Sequence, residues 1–304
     1  MNIFDSLQAQ LGNQVKAKVN LAPYTTFKLG GPAEYYFVAE TKQELIDAYH
    51  IAQKLDIQFN ILGGASNIVV PEEGINGLVV RNMVSYKKII EKKDDSVLLE
   101  VGSGYSITRL AKETSEEGLS GIEFHLGLPG TIGGAVVMNS KWTRPRVYVG
   151  DYVYSVEVIK KDGTVKVEPK DYCEFSYGWS KLQQTKEIVV AVTLELKKIG
   201  SEVSVKNAQD SLAYRKETQP FGVFTSGCFF KNVDNLSAGK LIDDAGLKGY
   251  SVGDLVVSDK HANFIINKGN GNVKDLRKLL DIIKTKVKEH SGIELKEEVI
   301  ILNY

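Results

Sequence analysis

The sequence predicts an α+β chain in three successive sections rather than one doubly wound sheet. Two observations carry this reading. Strand-like and helix-like patterns cluster by region instead of alternating strictly. The chain has 304 residues, about twice the usual length of one domain.

The composition sets outer bounds. Hydrophobic residues make up 43% and charged residues 25%, as expected of a globular protein with a proper core. Lys+Arg and Asp+Glu are both 38, a balance that argues against a nucleic-acid or membrane-surface protein. The N-terminal "MNIFDSLQAQLGNQVKA" lacks the charged start and apolar run of a secretory signal. No apolar stretch reaches the roughly 18 residues of a spanning helix. Cys173 and Cys228 have no metal-type spacing and make no disulfide framework, so a reducing cytoplasm is the expected setting.

In the first section, about residues 1–80, "AEYYFVAE" reads as a strand. "TKQELIDAYHIAQKLDI" reads as a helix, with Thr41 and Glu44 at capping-box spacing and Leu45, Ala48, Tyr49, Ala52 and Leu55 on one face. "QFNIL" is a short strand running into "GGASN". The second section, about 81–200, opens with strand-like "YKKIIEKKDDSVLLEVGSG". The helix "SITRLAKETSEEG" follows, with Ser106 as N-cap and Gly118 as stop. The β-rich "YVYSVEVIKKDGTVKVEPKDY", hinged on a "KKDG" hairpin signal, and "KEIVVAVTLELKKI" complete it.

The third section, about 201–297, has a helix ending near "AYRKETQP". Further helices are "AGKLIDDAGLKG" and "NVKDLRKLLDIIKTKVKEHSG", the latter with Val273, Leu276, Leu280, Ile283 and Val287 as a core stripe. The final "EEVIILNY" reads as a strand returning to the first section.

Three glycine-rich stretches stand out: "GGASN" (63–67), "GSGYS" (102–106) and "GLPGTIGGA" (127–135). Each is either a tight connection needing positive φ or part of an anion-binding nest. Several converging loops would suit the pyrophosphate of a dinucleotide. "GSGYSI" lacks the third glycine of G-x-G-x-x-G, and no G-K-[ST] follows "GGASN", so neither common phosphate fingerprint is met. The stretch "VFTSGCFFKN" (223–232) poses a second choice: Cys228 is a small buried side chain, or its S–H does chemistry.

Together "YTTFKLGGPAEYYF" (24–37), "LGGASNIVV" (62–70), "GLSGIEFHLGLPGTIGGAVVMN" (118–139), "SGCFFKN" (226–232), "AGKLIDDAGLKGYSVGDLVVSDKHANFIIN" (238–267) and "LKEEVIIL" (295–302) resemble the UDP-N-acetylenolpyruvoylglucosamine reductase (MurB) family nearly end to end. The resemblance implies a three-section flavoprotein. A two-part FAD-binding region of PCMH/VAO-like type would span 1–80 and 81–200, and a C-terminal α+β substrate-binding domain 201–297. Strand 298–304 would rejoin the first section.

FAD would be bound non-covalently, with NADPH as reductant and a UDP-sugar enolpyruvate as substrate, in a monomer that holds no metal. The resemblance places Tyr24, Gly63, Gly64, Ala65, Ser66, Asn67, Gly102, Pro129, Gly130, Thr131, Gly133, Gly134, Ala135 and Asn139 at the flavin. It makes Cys228 the proton donor in a serine's position, assisted by Glu298, with Tyr177 polarising the substrate. Lys231, Asn232 and, more weakly, Arg215 would hold the substrate. His125 is expected to carry no covalent flavin, and His261 and Cys173 to be structural.

Two departures from the family pattern bear on the chemistry. A thiol with an ordinary pKa of about 8.5 is mostly protonated at neutral pH, so Cys228 can still give a proton. Gly178 stands where the family has an arginine. Arg144 or Arg146, in "KWTRPRVYVG" (141–150), is either its replacement or a solvated loop charge. The competing functions are another FAD-dependent oxidoreductase on the same frame and a non-catalytic FAD or sugar-nucleotide binder.

Overall fold

Thr41 starts its helix as the capping box foretells: its hydroxyl accepts from the Glu44 N–H, and the Glu44 carboxylate accepts from the Thr41 N–H. That helix, α2 (Lys42–Lys54), buries Leu45, Ala48 and Ala52. The structure, a computed structural model, describes residues 2–234 and 236–302. The chain divides into two compact units. The first comprises Met1–Ala17, Tyr35–Gly64 and Gly77–Arg215, and the second Lys18–Glu34, Ala65–Asn76 and Lys216–Tyr304.

The first unit holds two hydrophobic clusters. One joins α1 (Ile3–Leu11) and α2 to a four-stranded sheet, through Leu7, Phe37, Leu45, Ala48, Leu78 and Val80. The strand order is Lys16–Asn20, Pro32–Ala39, Ile75–Asn82, Phe59–Leu62, the last two parallel. α1 was not foreseen, although Phe4, Leu7 and Leu11 at i, i+3 and i+7 turn one face to this cluster.

The other cluster lies on a six-stranded sheet. Its path runs Val165–Pro169, Val153–Ile159, Ile188–Lys198, Ser96–Gly102, Lys87–Lys92, with Leu119–Ser120 also pairing with Ile188–Lys198. Ile188–Leu194 is buried at every position, since a central strand covered on both faces needs no polar alternation. Helices α3 (Ile107–Glu116) and α4 (Ile132–Val137) add Ile107, Leu110, Ile132 and Val136 to this cluster. The short α5 (Leu182–Thr185) and the 18-residue α6 (Ser201–Thr218) follow.

The second unit has one cluster. Helices α7 (Ala238–Asp244) and α8 (Val273–Ser291) pack on the sheet Ser251–Val252, Leu255–Val257, Ile265–Asn267. α8 is capped by Asn272 accepting from the Asp275 N–H, and the expected stripe Val273, Leu276, Leu280, Ile283 and Val287 is buried. The terminal segment forms only a short strand, Ile300–Ile301, parallel to Ile68–Val69. Residues 303 and 304 of the expected strand lie outside the described residues. Among the described residues no helix is long and apolar enough to cross a membrane.

Candidate active site

In the first unit the three glycine stretches meet. The Ile107 N–H donates to the Gly130 carbonyl, the Ile132 N–H to Tyr105, and the Gly133 N–H to Ser103 at 2.9 Å. These bonds zip 102–107 onto 130–133, with Ser106 and Thr131 as facing bridge partners. Each of those two side chains also caps a helix start: Ser106 accepts from the Arg109 N–H and Thr131 from the Gly134 N–H. Gly63 and Gly64 close the junction. A Cβ at Gly64 would stand 2.4 Å from the Gly130 Cα, so two backbones pass where no side chain fits. Asn82 fastens the middle stretch by donating to the Ser103 hydroxyl at 2.7 Å.

Two observations suit this junction to a bound phosphate. Among the described residues the N–H groups of Gly64 and Thr131 donate to no protein acceptor, and unsatisfied backbone donors in glycine loops form anion-binding concavities. A Cβ at Gly134 would meet only the Thr131 Oγ1, at 3.5 Å, so packing of the chain on itself does not demand glycine there. Open space lies before it. Ala135, by contrast, is buried in the hydrophobic cluster behind the loop.

Beyond α4, the Asn139 carboxamide donates to the Ser176 carbonyl at 2.8 Å and accepts from the Gly150 N–H at 3.0 Å. It thus positions the two-residue turn Tyr177–Gly178, which Ser176 and Trp179 close by exchanging backbone hydrogen bonds. Gly178 has φ +60°, the left-handed conformation that such a loop position takes and that favours glycine. The Tyr177 ring is half-exposed, with the Lys141 ammonium 3.9 Å from its centroid.

The two loop arginines differ from each other in their surroundings. Arg144 is exposed and stacks its guanidinium 4.8 Å from the Tyr214 ring, and Arg146 is exposed on the outer strand of the Lys141–Thr143/Arg146–Tyr148 hairpin. Arg215 is buried and lies 4.4 Å over the Trp142 ring.

His125 is fully buried, with Nε2 at 3.2 Å from the Ser140 carbonyl. Burial, opposed by that contact and reinforced by the nearby Arg215 charge, pushes its pKa down to about 4. Cys173 is buried in the same unit's core, and burial pushes its thiol up to about 12.

The second unit presents the turn that carries Cys228. Cys228 pairs as a bridge with Phe264, and the Phe229 N–H donates to the Asn263 carbonyl. On the other flank the Glu298 N–H donates to the Phe229 carbonyl at 2.8 Å, and the Lys231 N–H to Lys296. Cys228 and Glu298 therefore sit on adjacent segments. Phe229 and Phe230 are fully buried, and Phe229 meets the Phe27 ring edge-on at 5.3 Å. They anchor a turn on which Cys228 stays only partly covered.

The Ser226 hydroxyl donates to Ile68, and the Asn67 amide to the Glu298 carbonyl. These bonds bring Ala65–Asn67, the continuation of the first glycine stretch, beside the same turn. The Asn232 carboxamide accepts from the Ala238 N–H at the start of α7. Tyr24 is half-exposed at the end of a 3-10 turn. His261 packs on Phe264, its Nδ1 accepts from the Asn263 N–H, and burial lowers its pKa. No cluster of three or more His, Cys, Asp or Glu among the described residues could hold a metal ion.

Comparison with known proteins decides the family. Residues 219–302 match the C-terminal domain of UDP-N-acetylenolpyruvoylglucosamine reductase, and residues 33–167 match an FAD binding domain. The UDP-N-acetylenolpyruvoylglucosamine reductase of Anoxybacillus flavithermus is 36% identical over 97% of this chain and 96% of its own length. The chain belongs to the UDP-N-acetylenolpyruvoylglucosamine reductase family. The Chlamydia abortus reductase is 37% identical over 95% of both chains. The crystal structure of the Thermus caldophilus reductase superposes with a TM-score of 0.81 at 33% identity, covering 95% of this chain and 99% of that one. This reductase-family chain is thus an α+β flavoprotein, and its three glycine stretches lie in or beside the matched FAD-binding segment.

Proposed function

We propose that the protein reduces UDP-N-acetylglucosamine enolpyruvate to UDP-N-acetylmuramate with NADPH, through FAD held at the glycine junction. Family membership supports the substrate class. The observation that carries the chemistry is the adjacency of the two segments that bear a partly covered thiol, Cys228, and Glu298, joined by the Glu298 N–H bond to the Phe229 carbonyl. Sections 1–80, 81–200 and 201–297, with the terminal strand 298–304, are assigned as two flavin-binding parts and a substrate-binding part.

The N–H groups of Gly64 and Thr131 and the open face at Gly134 hold the phosphates. FAD held there would supply a two-electron carrier between NADPH and the enolpyruvyl double bond, one carbon of which would receive hydride. The other carbon gains negative charge beside the carboxylate and takes the proton from Cys228 Sγ. A positioned proton donor of this kind contributes about 10²–10⁴-fold. Glu298 is assigned to pass a proton from water back to the sulfur, and Tyr177 to polarise the substrate. Lys231, Asn232 and Arg215 complete the assigned substrate contacts.

The test uses the purified full chain. Flavin absorbance is recorded, and NADPH loss is followed with and without the enolpyruvyl sugar nucleotide. Substrate-dependent NADPH loss with one reduced product is expected. Flavin without turnover would point instead to a binding protein, a reading that Gly178 favours, and turnover of an alcohol with oxygen to an oxidase.

A further inference from the structure

The hairpin after α4 carries three cations with different neighbours. Its register sets Tyr148 opposite Lys141, Val147 opposite Trp142 and Arg146 opposite Thr143. Side chains alternate across a strand, so Lys141 and Arg146 share one face and Trp142 lies on the other. Trp142 is buried, donates its indole N–H to the Arg144 carbonyl at 2.7 Å, and meets Tyr214 edge-on. Arg144 lies over Tyr214 and Arg215 over Trp142, so the touching pair of rings carries one guanidinium on each member. Both arginines are engaged in packing the hairpin onto α6.

Lys141 is placed otherwise. Its ammonium lies 3.9 Å from the Tyr177 centroid and makes no ion pair among the described residues. A ring face holds a lysine head in position but accepts none of its three N–H groups as a lone pair would. Beside it, the position of Gly178 is open: a Cβ there would meet nothing within 4 Å. A fixed, half-covered ammonium thus borders a space that the chain leaves unfilled.

We infer that Lys141, oriented by the Tyr177 ring, is the cation that binds the carboxylate of the enolpyruvyl substrate. This rests on the reductase reading above. Lys141 takes the place of a guanidinium at position 178: the turn's left-handed residue is glycine, and the charge arrives from the neighbouring hairpin. An ammonium at this point offsets charge that grows on the carboxylate as the alkene accepts hydride, so it acts on turnover as well as on binding.

The experiment compares wild type, Lys141→Met and Lys141→Arg, with flavin content per chain as the control for folding. Two ligands are titrated: the enolpyruvyl sugar nucleotide, and UDP-N-acetylglucosamine, which has the same phosphates and no carboxylate. In Lys141→Met the carboxylated ligand should bind at least 10-fold more weakly, and its reoxidation of reduced flavin should slow about 100-fold. Affinity for UDP-N-acetylglucosamine should be unchanged, and Lys141→Arg should recover to within about 10-fold of wild type.

Equal weakening of both ligands would assign Lys141 to the phosphates and overturn the inference. So would no change in either ligand, or a loss in Arg146→Ala with Lys141→Met unaffected. If wild type binds the carboxylated ligand without turning it over, the reductase reading falls while the ligand pair still decides Lys141. If wild type binds neither, both fall.

Discussion

Gly64 and Gly178 are glycines for opposite reasons. At Gly64 a neighbour dictates the residue, because a Cβ would stand 2.4 Å from the Gly130 Cα. At Gly178 the backbone angle dictates it: φ is +60°, yet a Cβ would meet nothing within 4 Å. The flavin junction is therefore closed by steric contact of main chains, whereas the Tyr177 turn is conformationally fixed but sterically open. A cradle of the first kind excludes side chains altogether. A turn of the second kind leaves room beside it for a side chain arriving from elsewhere.

The comparison is tested most severely at the junction. Gly64→Ala must push residues 63–64 away from 130–131, and overpacking of this kind costs about 1–3 kcal/mol or more. Purified protein should lose most of its bound flavin, read as the ratio of 450 to 280 nm absorbance. Full flavin content would show that the junction yields.

At the reacting turn the loss should be chemical rather than structural. Cys228→Ala should keep its flavin and its rate of reduction by NADPH. Its substrate-dependent reoxidation should slow by about 10²–10⁴-fold, and Cys228→Ser should restore most of that rate. Stopped-flow measurement of the two half-reactions separates these outcomes, and equal slowing of both would place Cys228 in the cradle instead.

His125 provides a third probe, from the buried side. It is held neutral in the folded protein, with a pKa of about 4, but takes a proton near pH 6.5 once unfolded. The unfolded state therefore binds the extra proton between those values. Stability is full above about pH 6.5 and falls as the pH drops toward 4, by about 3 kcal/mol. Urea midpoints measured across that window should show the fall, and His125→Gln should flatten it. Glu113 titrates lower: burial alone would raise its carboxyl, but bonds from Tyr105, Lys87 and Arg109 hold it at about 2.

The smallest effect is expected at Gly178. Gly178→Ala places a side chain in the left-handed region at a cost of about 1–2 kcal/mol, which lowers the melting temperature by a few degrees without displacing flavin. A loss of flavin as large as that of Gly64→Ala would erase the distinction between the two glycines.

Elements with marked ends were legible in the sequence. Thr41 and Glu44 announced α2, Ser106 announced α3, and the stripe of Val273, Leu276, Leu280, Ile283 and Val287 announced α8 as core. The convergence of the glycine stretches was legible as a possibility, and the hydrogen bonds joining Gly130–Gly133 to Ser103–Ile107 give it a geometry. α1 escaped although Phe4, Leu7 and Leu11 recur at i, i+3 and i+7, because a nine-residue stripe is short and only Leu7 is fully buried. Lys141 escaped for a different reason. A cation over an aromatic face obeys no spacing rule, and in the string "KWTRPRVYVG" the arginines draw attention first. Only the fold shows Arg144 stacked on Tyr214, with the lysine at Tyr177.

Asn139 gives the turn a further property. Its carboxamide grips main-chain atoms only, the Ser176 carbonyl and the Gly150 N–H, and a second carboxamide, that of Gln183, donates to the Gly178 carbonyl at 3.1 Å. These bonds use no side-chain atom of residues 177 and 178, although the φ of +60° still selects glycine at 178. Such a fastening lets the side chain at 177 be exchanged while the turn keeps its place.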